Sequence, residues 1–521
     1  MLAFACAVSG LLFAAPAAEA QVFHQNGVLF VHGYVGSGAQ FESQKMRLMS
    51  NGYPESWVTA IDYDSLFASE SRSDVYARID RLVAELEERT GRPQVDILGH
   101  SLGTTVMGEY LTSSEARAAN VAHYVNIDGR QPDAPPGGVP TLAIWAGRGA
   151  PGRRIPGAKN VTVPNQTHVE SATSAESFAA FYEFFTGKPP AHDIVPQAGD
   201  ITIAGKVLQF PVNRGAVDAT LEIWEVDGES GQRTGSSPVA RTSIPASGEW
   251  GPVEVQAGRH YEFAVLRPGV PTHHHYYEPF VRSDHLIRLL ESDLLSNVGE
   301  RGPRHVAGLI LRYKELWGDQ GSQNDLLSLN GTNVCVDVLC PIRKQVNAVF
   351  VFDRNLDGRT DLSSPHPGFD ALPFIVGVDI FLPAAIPATG KTTLELRSRG
   401  GGPPRTVNFP NFASATDVVT VQLRDFEEPK VSACMRPSTV AFKLHRMRGT
   451  RVVRVEAYVN GGRALRRSGR DLRRVKLTRL PRDGRMKVRI VATHSTGSKV
   501  VSTRSWDGCK KGKPRVWVVR R

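Results

Sequence analysis

From Gly27 to about Phe185, short β-branched or apolar runs alternate with helically spaced ones, the rhythm of a parallel sheet with helices on its faces. The runs Val28 to Val31, Val58 to Ile61, Val95 to Leu98, Tyr124 to Ile127, Leu142 to Trp145 and Val161 to Val163 predict six strands. Val75, Ile79, Leu82, Val83 and Leu86 recur at helical spacing, and Glu176 to Phe185 predicts a closing amphipathic helix. Gly187-Lys188-Pro189-Pro190 cannot continue that helix, which sets a domain boundary near residue 190. The pattern then turns to alternation, as in Ala219-Thr220-Leu221-Glu222-Ile223-Trp224-Glu225-Val226, broken by Gly, Pro, Asp and Asn clusters. One brief helical signal lies at Leu286 to Leu295. This stretch predicts an antiparallel β-barrel or sandwich over 191–428. Beyond it, Val452 to Val459, Met486 to Val491 and Val500 to Trp506 predict a small β-sandwich over 429–521. No repeat of fixed period is present.

The length of 521 residues agrees with several cores rather than one. Residues 1–20 are apolar and Ala-rich and end in Ala18-Glu19-Ala20, the small-residue cleavage pattern of a secretory signal peptide, although a basic start is missing. The expectation is a secreted, extracellular protein. No later apolar run reaches the length of a bilayer-spanning helix. Cys6 falls in the leader, and the other four cysteines pair by proximity as Cys335 with Cys340 and Cys434 with Cys509. Charge divides the chain unevenly. Residues 429–521 hold 27 Lys and Arg against 4 acids, a charge of +23, which leaves −13 for the rest of a +10 chain. Such a field attracts an anionic polymer or a membrane surface, or else keeps a small domain soluble; no nucleic-acid partner is expected.

Candidate chemistry centres on Gly99-His100-Ser101-Leu102-Gly103, which follows the apolar run Val95-Asp96-Ile97-Leu98 and precedes a helical pattern. A nucleophile on a tight strand-to-helix turn needs small residues two positions before and after it, and the helix N-terminus favours negative charge. Phe30-Val31-His32-Gly33-Tyr34 ends the first strand at the place where a second oxyanion donor is needed, so the N–H groups of Tyr34 and Leu102 are the expected oxyanion hole. Gly33, Gly36 and Gly38 do not fit a nucleotide-binding fingerprint. His168, after the last strand, is the expected base. Between Ala134 and Thr167 there is no Asp or Glu, so the acid has to come earlier. Asp128, followed by Gly129 at the end of its strand, is the first choice and Asp133 the competitor.

The chain resembles an archaeal two-domain lipase family, an α/β-hydrolase domain followed by a C-terminal β-barrel lipid-binding domain, from Val28 to about Arg424. The matching stretches include Val31-His32-Gly33, Gln40-Phe41-Glu42-Ser43-Gln44, Asn51-Gly52-Tyr53-Pro54, Gly99-His100-Ser101, Asp128-Gly129, Thr167-His168-Val169, Asp193-Ile194-Val195-Pro196-Gln197 and Val351-Phe352-Asp353-Arg354. The resemblance implies Ser101, Asp128 and His168 as nucleophile, acid and base, a preference for long acyl chains, and a barrel that helps hold the lipid. It departs from the family at one point: only about ten residues separate Asp62-Tyr63-Asp64 from the Val75 helix, where the family has a helical lid. An uncovered acyl groove is therefore expected. The segment after residue 428 has no counterpart in the family.

Asp353, Asn355, Asp357 and Asp361 alternate around Gly358 like the ligands of a calcium loop, without the usual twelfth-position Glu; an ion there would be structural. His273-His274-His275 alternates faces on a strand and no carboxylate or Cys completes a zinc set with it, so it is read as non-metal. The expected function is a secreted serine ester hydrolase, a lipase or carboxylesterase that needs no cofactor and takes lipid or another hydrophobic ester. The rivals are an extracellular polyester depolymerase and a surface-binding protein with an auxiliary hydrolase core.

Overall fold

The computed structural model describes residues 25–292, 300–427, 440–447, 449–478, 480, 486–506 and 515–520. The expected leader and the expected Cys434–Cys509 bridge lie outside them. The first part of the chain is an α/β-hydrolase fold. Strands β1 (Gly27–Val31), β2 (Val58–Ile61), β3 (Val95–His100), β4 (Val121–Ile127), β5 (Thr141–Ala146) and β6 (Lys159–Val163) form one sheet in the order β2-β1-β3-β4-β5-β6. Every pairing in it is parallel. Helices cover both faces, so β1, β3 and β5 are buried from end to end. Their side chains alternate between two cores: Val28 and Phe30 pack with Phe178 and Phe181, while Leu29 and Val31 pack with Val75, Ile79 and Val83.

The helices are α1 (Glu42–Ser50), α2 (Arg72–Thr90), α3 (Leu102–Thr112), α4 (Glu115–Ala119), α5 (Glu170–Thr173) and α6 (Ala175–Thr186). A reciprocal Ser71–Asp74 capping box starts α2, and left-handed Gly91 ends it. Gly187, also left-handed, stops α6 ahead of the Lys188-Pro189-Pro190 segment.

Strands then take over. An eight-stranded sheet and a four-stranded sheet at Leu326–Leu329 enclose a core that includes Ile310, Leu327, Val349 and Val419, while a sheet built on Asp200–Gln209 packs on the eight-stranded sheet in a second core with Ile203, Leu221 and Phe263. Antiparallel hairpins dominate, but Thr272–Tyr277 and Gly308–Arg312 both run parallel to Asp417–Leu423. The expected helical signal at Leu286 to Leu295 is corrected in its described part, where Asp284–Glu291 is a strand parallel to Asp200–Gln209; residues 293–295 lie outside the described residues. Both faces of the strand are largely buried, and Leu286, Ile287, Leu289 and Leu290 fall at positions that a helical period fits as well as a strand with two buried faces does.

The last described part pairs a two-stranded sheet, Val440–Lys443 with Arg474–Leu477, with a five-stranded one. Phe442 and Val475 from the first and Val455, Val488 and Ile490 from the second share a core.

Buried polar contacts join the hydrolase fold to the β region. Arg288 Nε lies 3.0 Å from both carboxylate oxygens of Asp62, just after β2. Asn213 donates to the carbonyls of Gly36 and Tyr63, and Ser43 donates to Asp425.

Candidate active site

The G-x-S-x-G stretch makes the turn from β3 into α3. Ser101 sits at φ 53° and ψ −122°, outside the ordinary L-residue regions, and its N–H bonds to the Ile127 carbonyl at 3.0 Å. The flanking glycines are steric necessities. A Cβ at Gly103 would lie 2.3 Å from the Val31 carbonyl oxygen, and one at Gly99 would lie 2.9 Å from the Gly103 oxygen. Gly33 is equally constrained, since its Cβ would meet that of Ser101 at 2.9 Å.

Asp128 follows β4 at φ 45° and is 6% exposed. His168 Nδ1 donates to its Oδ2 at 2.6 Å. The other oxygen accepts from the Ala146 N–H at 2.9 Å and from Arg153 Nη1 at 2.6 Å. Burial opposes the charge of this carboxylate, but the bonds from His168, Ala146 and Arg153 outweigh it and hold the group below its ordinary range. The stretch 134–167, which carries no acid, instead sends Arg153 back to the acid, with its guanidinium 4.4 Å over the Trp145 ring. Asp133 is exposed and takes no part.

Two further histidines support this pair. His100 Nε2 donates to the His168 carbonyl at 3.0 Å, and Gln40 donates to His100 Nδ1 at 2.8 Å. The His100 and His168 rings lie 4.6 Å apart. Burial pushes His100 down to about 3, so it is a neutral spacer beside His168. His32 accepts the Tyr63 N–H at Nε2 and so donates from Nδ1 to the Gly33 carbonyl at 2.8 Å. Burial pushes it down to about 4. Because the peptide is trans, holding the Gly33 carbonyl on His32 turns the Tyr34 N–H the opposite way. Leu102 is the first residue of α3, where an N–H has no intrahelical partner. Local pattern does not single out Gln40, His100, Arg153 or the role of His32, although Gln40, His100 and His32 stand inside the stretches that carry the family resemblance.

Ser101, His168, Tyr34 and Gly33 open on a cavity of about 340 Å³. Its far wall comes from the β region: Phe210, Leu290, Leu309, Leu311, Phe369 and Phe374 are among the lining residues. The Phe374 ring stacks on that of His168 at 6.3 Å. The lid-like insertion is indeed missing between β2 and α2, yet the groove is not uncovered as expected, because the β region closes over it. That region also fixes the histidine loop. Both oxygens of buried Glu315 accept backbone N–H groups next to His168, from Val169 at 2.6 Å and from Glu170 at 3.0 Å.

The other sites expected from the sequence lie apart from this cavity. In the Asp353 loop the carboxylates are engaged by backbone: Asp353 accepts from the Gly358 N–H, Asp357 from Arg359 and Asp361 from Ser363. Asn355 occupies a left-handed position at φ 63°. Among the described residues no three of these carboxylates bring ligand atoms within 4.8 Å of one another.

The expectation that no carboxylate joins the histidine triplet is corrected. His273 and His275 share a face, and Glu291 from the neighbouring sheet lies 2.9 and 3.0 Å from them, all three buried. These atoms could hold a cation, but Arg267 already neutralises Glu291 at 3.1 Å, and a dication would be buried beside that guanidinium. The trio therefore reads as a hydrogen-bonded ion cluster.

Cys335 and Cys340, expected as a bridge, are two buried free thiols whose side chains contact each other. Burial raises the Cys340 thiol well above its usual range, which keeps it protonated.

Two family models that match this chain agree with this architecture. A model described as the alpha/beta hydrolase family matches residues 28–221, and one described as a lipase C-terminal domain matches residues 199–294. A further C-terminal-domain model matches residues 294–427. Among solved structures, phospholipase PlaB from Legionella pneumophila is 8% identical, with 77% of this chain and 93% of that one covered at a TM-score of 0.19. Tomato methylketone synthase I complexed with 2-tridecanone is 11% identical, covering 31% of this chain and 98% of its own at 0.25. A Listeria innocua gene product, lin2722, is 12% identical, covering 32% and 97% at 0.24.

Proposed function

We propose that this chain is a secreted serine hydrolase acting on carboxylic esters with apolar acyl chains, a lipase or carboxylesterase. The observation that carries the reading is the 2.6 Å bond from His168 Nδ1 to a charged, buried Asp128 beside an apolar cavity into which Ser101 opens. With Nδ1 so engaged, His168 Nε2 is the nitrogen left to take the Ser101 hydroxyl proton as Oγ attacks the ester carbonyl. The negative oxygen then meets the Tyr34 and Leu102 N–H groups, donors aimed before the charge appears. Collapse expels the alcohol with the proton from His168 and leaves an acyl-Ser101 ester. Water, deprotonated by His168, releases the acid and restores Ser101. No metal or organic cofactor enters these steps.

The wall of Leu and Phe side chains supports an aliphatic acyl group as the bound half of the ester. A cavity walled on both sides suits one chain end better than a polymer continuing past the site, which favours soluble or lipidic esters over solid polyester.

Hydrolysis of p-nitrophenyl esters from acetate to palmitate, with Ser101→Ala as control, tests the reading. Turnover rising with chain length and lost in Ser101→Ala is the expected result. Undiminished turnover in Ser101→Ala overturns the triad, and hydrolysis confined to acetate overturns the acyl pocket. Phe374→Ala, which widens the cavity next to His168, should shift the preference towards bulkier acyl groups.

A further inference from the structure

The 429–521 segment exposes cations on several sides, and the outer face of its five-stranded sheet gathers six of them into a flat array, as the strand register shows. Its five-stranded sheet contains Val452–Val459, Gly462–Ser468, Met486–His494 and Lys499–Trp506 among its strands. One face of that sheet, with Val452, Val455, Ala457, Val488 and Ile490, packs in the core against the two-stranded sheet.

Alternation sends the intervening residues to the other face, and the pairings bring them side by side. Tyr458 stands opposite Arg463 and Arg489, Glu456 opposite Arg466 and Val491, Arg454 opposite Ser468, and Thr493 opposite Lys499. Lys487 lies on the same side, opposite Ser505. Among the described residues, six exposed cations, Arg454, Arg463, Arg466, Lys487, Arg489 and Lys499, thus share one face with a single acid, Glu456. That acid is 3.6 Å from Arg466. Arg504, by contrast, belongs to the inner side and lies over the Phe442 ring.

We propose that this outer sheet face docks the protein on an anionic lipid bilayer. The cations spread over four adjacent strands, an array of roughly 14 Å by 20 Å at ordinary strand spacing and rise. A polymer chain follows a line and is held in a groove or on stacked aromatics. The headgroups of a bilayer form a two-dimensional lattice, and a flat array of long, flexible Arg and Lys side chains meets many of them at once. The opposite charge of the rest of the chain, −13 against +23, makes the molecule bipolar and turns the 429–521 segment towards a negative surface, where the flat outer face offers its array. The choice of lipid over another polyanion rests on the proposed action on lipidic esters, because docking brings the apolar cavity close to its substrate; the charged face itself does not depend on that reading.

The test is co-sedimentation of the full chain with vesicles of phosphatidylcholine, with and without phosphatidylglycerol, using Ser101→Ala so that hydrolysis does not alter the vesicles. Binding should require phosphatidylglycerol and fade as added salt shortens the screening length. The triple variant Arg463→Gln, Lys487→Gln, Lys499→Gln should lower partitioning on the order of 100-fold and keep wild-type hydrolysis of a soluble short-chain ester in the Ser101 background. An equal loss of charge on the hydrolase surface, Arg81→Gln, Lys159→Gln, Lys188→Gln, should have far less effect. The proposal is overturned by equal binding to pure phosphatidylcholine, by equal losses in the two triples, or by retention on immobilised heparin without vesicle binding. Failure of vesicle binding with ester hydrolysis intact removes only the docking face, whereas undiminished hydrolysis in Ser101→Ala removes only the triad.

Discussion

At the scale of single residues, the site depends on places where almost no other side chain fits or serves. Gly103 lets α3 start against the end of β1, and a methyl there meets backbone that cannot swing aside. Gly103→Ala should therefore cost about 1–3 kcal/mol as an overpacking substitution, seen as a lower midpoint in urea along with reduced turnover. A midpoint equal to wild type would mean that α3 shifts freely. Asp128 works by charge and orientation rather than by bulk. Asp128→Asn keeps the shape but offers an amide to His168 Nδ1 and leaves Arg153 without its anion, so turnover should fall roughly 10³- to 10⁴-fold with a much smaller change in melting temperature. A loss under tenfold, measured on a soluble ester, would assign the acid elsewhere.

At the scale of elements, the turns after β1 and β3 are held by two neutral histidines in the protein interior. Below about pH 6.5 the unfolded chain protonates both, while the folded chain resists until about 4 at His32 and about 3 at His100. In that window the unfolded state binds more protons, so the stability these groups allow is fully present above pH 6.5 and is lost as pH falls towards the folded values. Denaturation midpoints should drop from pH 6.5 to 4 in wild type and drop less steeply in His100→Gln, which cannot take up that proton. Parallel curves would show that His100 does not carry the dependence. Because His100 also bonds the His168 carbonyl, the same variant should lose activity on the order of tenfold at pH 8, a positioning effect on a residue near the chemistry.

At the scale of the whole molecule, the β region is a working part of the site. It supplies the far wall of the cavity, and Glu315 from it fastens the loop that carries His168. The Arg288–Asp62 pair ties the same two regions together and is almost fully buried, with Lys206 as a second, longer partner of Asp62 at 3.6 Å. Arg288→Ala leaves a buried carboxylate short of its main counter-charge and should destabilise the chain by about 3 kcal/mol, the low end for breaking a buried pair. Calorimetry should show the hydrolase and β regions melting farther apart than in wild type, and unchanged single transitions would mean that other contacts carry the coupling.

The sequence by itself determined what depends on local pattern. Six parallel strands, their helices, the turn at Ser101, the closing helix and its Gly187 stop are all written in short-range periodicity and in residues with few steric alternatives. With no acid between Ala134 and Thr167, the carboxylate has to come from upstream, and Asp128 is the one set against His168. The tertiary structure alone decided what depends on residues brought together from afar. Asp284–Glu291 became a strand because it is buried on both sides by neighbours its own pattern does not reveal. Glu291 joined His273 and His275 from another sheet. The groove left without a lid acquired its wall from Leu309, Phe369 and Phe374, residues whose apolarity announced burial but not the partner they would be buried against. Hydrophobic pattern specifies which faces leave water; the closure of the fold specifies which faces meet.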